Sequence, residues 1–110
     1  MTTFDDREQA YEKKFAHDQD LKFRAEAKRN KLLAEWAGAK LGIMGEALQE
    51  YAKALQRADL EEKGDDDVFR KIRKDFDDKG LAVPDAEIRA AMGDFLAKAV
   101  DEIEAGSKAP

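Results

Sequence analysis

Catalysis needs side chains that attack, relay protons or hold a metal, and this sequence supplies few. Its 110 residues include no cysteine and a single histidine, His17. Apart from Tyr11 and Tyr51, the only hydroxyl side chains are Thr2, Thr3 and Ser107, so a serine–histidine pair would have to recruit a residue of the tail. No GxxxxGK[ST], GxGxxG, HExxH or GxSxG pattern occurs, and the set of roles an active site must fill cannot be assembled. The expectation is a protein that is not an enzyme. Without cysteine there is no thiol nucleophile, disulfide or cysteine-ligated metal. "KGDDDVF" looks like the start of a calcium loop, but counting from Asp65 the sixth residue is Arg70 and the twelfth Phe76. A loop of that kind needs Gly and Glu there. The Asp65–Asp66–Asp67 run instead suits a helix N-terminus, by capping and by charge against the helix dipole. No metal and no cofactor is expected.

What remains is binding chemistry, and two stretches offer it. In "KFRAEAKRNK", residues 22–31, Lys28, Arg29 and Lys31 read either as a solvated helix face or as a dock for an acidic protein surface or a phosphate-bearing ligand. No glycine-rich cradle accompanies them, so nucleotide binding does not follow. In "FDDREQAYEKKFAHDQD", residues 4–20, Phe4, Tyr11 and Phe15 stand among charges at spacings of seven and four. Such a stretch is either a tail whose rings pack back on the body or a segment that orders in a partner's groove with the rings as anchors. His17, beside Asp18, is a surface histidine or a protonation-sensitive partner contact, starting from a pKa of about 6.5.

Charge follows the same division. Residues 1–20 carry three basic and six acidic groups, residues 21–40 six basic and two acidic, and the whole chain is at −5. That balance speaks against nucleic acid as a partner.

The elements that must position these groups are helical. Hydrophobic residues make up 43% and charged ones 41% of the chain, and the apolar ones recur at helical spacing. Leu21, Ala25, Leu32, Trp36 and Ala39, flanked by Leu33 and Ala37, predict a first helix over about 21–40. A second, over 44–61, carries Met44, Leu48, Tyr51 and Leu55 with Ala47, Ala52 and Ala58, and Gly64 ends it. Val68, Phe69, Ile72 and Phe76 place a third over 66–79, capped by Gly80. Pro84 opens a fourth over 84–104, with Ile88, Met92, Phe95, Ala99 and Ile103 on one face. The fold expected is all-α: a compact four-helix bundle over 21–105, a frayed tail at 106–110, and residues 1–20 as a segment disordered or loosely helical when free. No apolar run reaches the roughly 20 residues of a membrane span, and no heptad seam argues for a coiled-coil dimer. Hence we expect a cytoplasmic monomer without membrane insertion.

Residues 1–37 resemble the zeta inhibitor subunit of the F-type ATP synthase of alphaproteobacteria. The most specific pieces are "FDDRE", "EKKFAHD" and "RNKLL", and the likeness continues more faintly through "AKLG", "YAKAL" and "VPDAEIR". The resemblance implies a four-helix protein that blocks ATP hydrolysis, with an N-terminal segment that enters the catalytic alpha/beta interface near the gamma shaft and acts as a one-way stop. It implies that Phe4, Asp5, Asp6, Arg7, Glu8, Phe15, His17 and Asp18 meet the partner, with Tyr11 joining them by its spacing as an anchor, that the bundle is the anchoring domain, and that the protein sits at the cytoplasmic face of the inner membrane through the enzyme. Replacing Phe4 or Phe15 by Ala is then expected to weaken inhibition and hardly move the melting temperature. Some relatives bind adenine nucleotides, so the alternative is a small helical module for ATP or ADP, using Lys28, Arg29 and Lys31.

Overall fold

A computed structural model describes Phe15, residues 18–61 and residues 65–108. Four helices account for most of them: α1, Gln19–Leu41; α2, Glu46–Asp59; α3, Asp66–Lys79; and α4, Asp85–Lys108. There is no strand among the described residues.

Local chemistry sets most of the boundaries. Asp18 caps α1, its Oδ1 accepting from the Leu21 N–H at 3.0 Å, which satisfies one of the first-turn donors a helix leaves unpaired. At the other end Gly42 takes φ 77°, and the Ile43 N–H bonds back to the Gly38 carbonyl at 3.0 Å. Only a residue without Cβ adopts that left-handed turn at no cost. Gly80 closes α3 in the same way, with the Leu81 N–H on the Phe76 carbonyl at 2.9 Å. The Pro84 carbonyl accepts from Glu87 and Ile88 where α4 begins. That helix runs through Gly106 to Lys108, past the point where a frayed tail was expected. Gly64 lies outside the described residues.

Packing then selects which faces are buried. Leu33, Ala34 and Ala37 of α1 meet Leu55 of α2, Val68, Ile72 and Phe76 of α3, and Ile88 and Met92 of α4 in one core. Trp36, partly buried against this core, stands edge-on to Phe76 at 5.8 Å between ring centroids, a favourable arrangement for an aromatic pair. At Gly38 the helices α1 and α2 come so close that a Cβ would lie 2.6 Å from Leu48 Cδ1. A second cluster joins Phe15, Leu21 and Ala25 to Ala99 and Val100, flanked by Leu96 and Ile103.

Three expectations are corrected here. The first helix buries Leu33, Ala34 and Ala37, while Ala39 is exposed. α1 packs against both α2 and α4, so its buried wedge lies between two neighbours and is rotated from a single stripe. Met44 is 78% exposed, because Gly45, at φ 64°, delays α2 until Glu46. Finally, Asp65 occupies the N-cap position of α3 without a side-chain cap bond. Its carboxylate and that of Asp66 bond instead to Arg89 of α4, at 3.3 and 2.9 Å, tying α3 to α4.

Tyr51 of α2 carries its hydroxyl into the body of the protein. Its Oη is buried and closes no hydrogen bond of normal geometry among the described residues. Burial, and after it Asp75, push the phenol far above its ordinary pKa. Removing the hydroxyl removes a desolvation cost without removing a good bond. Tyr51→Phe is therefore expected to leave stability unchanged or raise it by up to about 1 kcal/mol, read from the urea midpoint. A loss larger than that would mean the hydroxyl has a partner.

Candidate functional site

The N-terminal segment joins the bundle at Phe15 and Asp18. The Asp18 N–H bonds to the Phe15 carbonyl at 3.3 Å, and the Asp18 side chain caps α1. The Phe15 ring is 8% exposed and sits in the second cluster, between the start of α1 and the Ala99–Val100 turn of α4. Of the two arrangements read for this stretch, Phe15 takes that of a ring packed back on the body and not that of an anchor held clear for a partner. Alternation of charge around "EKKFAHD" concealed it, since the wall that buries Phe15 comes from α4, more than eighty residues later. Phe4, Asp5, Asp6, Arg7, Glu8, Tyr11 and His17 lie outside the described residues.

The basic stretch of α1 does not converge on one ligand. Lys28 pairs with Glu102 of α4 at 2.8 Å, and that ammonium, chiefly through its hydrogen bond, holds the Glu102 carboxyl below its usual range. Lys31 is exposed. Arg29 points inward and is 2% exposed. Its Nε and Nη2 donate to Asn30 Oδ1 at 3.1 and 3.0 Å, and Nη2 also donates to Asp59 Oδ1 at 3.2 Å. Asn30 Nδ2 donates to Gln56 Oε1 and Asp59 Oδ2, both at 3.1 Å, and Gln56 Nε2 donates to the Ala27 carbonyl at 2.8 Å. A buried charge of this kind needs such partners. Beside it, Glu26 is raised by burial first and by Asp59 second, with Arg29 acting against both. Reading Arg29 as part of a solvated cluster missed this network. The signal was present: Arg29 falls midway between Ala25 and Leu33 at steps of four, on the buried face.

Two further features come from the tertiary structure. Arg57, Arg70, Lys71 and Lys74 line an open groove of about 490 Å³ between α2 and α3, over Ala54 and Ala58. Three of these cations are already engaged along α3, Arg70 with Asp67, Lys71 with Asp75 and Lys74 with Asp78. On α1, Phe23 is exposed despite its size, belonging to neither apolar stripe.

Four helices around one core, with a segment rooted ahead of the first, form an all-α bundle, and among the described residues no group of three or more His, Cys, Asp or Glu could hold a metal ion. The chain belongs to the family described as ATPase inhibitor subunit zeta, whose model matches residues 1–102. Membership makes it a regulatory subunit that inhibits an ATPase, the class that "FDDRE", "EKKFAHD" and "RNKLL" indicated. A comparison with curated proteins returned no match.

Proposed function

We propose that this protein inhibits ATP hydrolysis by the F-type ATP synthase, its N-terminal segment entering the catalytic alpha/beta interface near gamma while the bundle stays outside as the anchor. The observation that carries the reading is the family match over residues 1–102, which includes the whole segment together with nearly all of the bundle. Phe4 and Tyr11 serve as apolar anchors, Asp5, Asp6, Arg7 and Glu8 pair with charges of the interface, and His17 contacts the partner where the segment leaves the bundle. Asp18 starts α1 at the rim. Ordering the segment costs about 1–2 kcal/mol per residue in backbone entropy, offset by ring burial and charge pairing in the interface. No helix among the described residues is long and apolar enough to cross a membrane, so in this reading the enzyme holds the protein at the cytoplasmic face. A nucleotide module built on Lys28, Arg29 and Lys31 draws less support, because Arg29 cannot reach a ligand without leaving Asp59 and Asn30.

The test is titration of the full-length protein into the F-type ATPase of its source organism, following hydrolysis and synthesis separately. Hydrolysis is expected to fall to a low plateau at one inhibitor per enzyme, with synthesis much less affected, as a one-way stop requires. Undiminished hydrolysis at saturating inhibitor overturns the reading.

A further inference from the structure

The burial of Phe15 bears on how the segment is presented. In an inhibitor that works by insertion, a ring within the segment has two available uses: it is placed in the enzyme, or it holds the segment's root to the bundle. The structure favours the second. Phe15 is enclosed by its own chain, with Leu21 and Ala25 from α1 and Ala99 and Val100 from α4; of these, Ala25, Ala99 and Val100 are fully buried. Three residues on, Asp18 caps α1 while its N–H holds the Phe15 carbonyl. The Lys28–Glu102 pair ties the same stretches of α1 and α4 together on the surface. Ring, backbone turn and ion pair thus fasten one point of the chain to two helices.

We infer that Phe15 is a positioning residue, which stays seated in the α1–α4 cluster when the protein inhibits and sets the point and direction from which residues 1–14 reach the enzyme. This rests on the insertion reading above. Its physical basis is effective concentration: a short tether with a fixed root keeps the segment near its receiving interface once the bundle has docked, and loosening the root spreads it over a larger volume.

The two uses of the ring are separated by a substitution on the opposite wall of its seat. Val100 lies on α4, outside the segment, so Val100→Ala loosens the seat without touching any residue proposed to enter the enzyme. Full-length Phe15→Ala, Phe15→Leu and Val100→Ala are compared with the wild type for half-maximal inhibition of ATP hydrolysis, with circular dichroism verifying that each is folded at the assay temperature. If Phe15 works from the bundle, Phe15→Ala and Val100→Ala each weaken inhibition about tenfold, Phe15→Leu recovers most of the loss, and the melting temperature falls in both alanine variants. If instead Val100→Ala inhibits as well as or better than the wild type while Phe15→Ala is weak, the ring belongs to the enzyme interface and the inference is wrong. Equal potency of all variants also overturns it, with the insertion reading left standing. A wild-type protein that does not inhibit removes both.

Discussion

Removing residues 1–14 is expected to abolish inhibition of ATP hydrolysis and leave the four helices intact. The cut falls ahead of Phe15, so the second cluster keeps its ring and α1 keeps its Asp18 cap. Every core residue from Leu33 to Met92 is untouched. In the insertion reading, the loss is that of Phe4 and Tyr11 as anchors together with the charges between them. Burying one large apolar side chain is worth about 1.5–3 kcal/mol, and each 1.4 kcal/mol is tenfold in affinity. Two rings therefore correspond to at least about a hundredfold, before charge pairing is counted. The measurements are half-maximal inhibition and the thermal melt of the truncated protein. A truncated chain that still inhibits within about threefold of the wild type would move the inhibitory function into the bundle, to a surface such as the α2–α3 groove. A collapsed melt would show that residues 1–14 support the fold.

The second large effect is on stability. Arg29→Met is expected to cost about 3–5 kcal/mol, the range for breaking a buried pair by removing one partner. Asp59 is only 11% exposed at its side chain and would be left without the guanidinium, while Asn30 would lose both donors now bonded to its Oδ1. Against a total stability of about 5–15 kcal/mol for a domain, that is a large fraction, and it should lower the melting temperature by roughly 12 °C or more. The double variant Arg29→Met with Asp59→Asn should recover at least half of the loss. It buries no unpaired charge, and the amide oxygen left at position 59 can still accept from Asn30 Nδ2. Non-additivity of this kind marks a coupled pair. If the single variant melts within about 3 °C of the wild type, water reaches Asp59 and the network contributes little to holding α1 against α2.

These two predictions divide along the same line as the legibility of the chain. The later helices were readable because some of their ends are written in local chemistry, a glycine at 80 that tolerates a left-handed turn and a proline at 84, whereas the Asp18 cap and the Gly42 turn that bound α1 came only from the structure. The apolar residues of α3 and α4 recur on one face each, and those faces are the ones buried. The family, too, was readable from short motifs near the N-terminus, since motifs are properties of order along the chain.

What the linear pattern left undecided depends on which helices become neighbours. Arg29 and Asn30 look solvent-bound in "KRNK" because their partners, Gln56 and Asp59, arrive only when α2 folds back along α1. Phe15 looks like a ring without a home because its wall is built by Ala99 and Val100. Ala39 and Met44 have apolar side chains, yet one faces away from both neighbours and the other precedes a glycine turn. Periodicity defines that a helix has a face. The direction of that face, and whether a charge on it meets water or a carboxylate, is settled by contacts between residues distant in sequence, which the tertiary structure alone brings together.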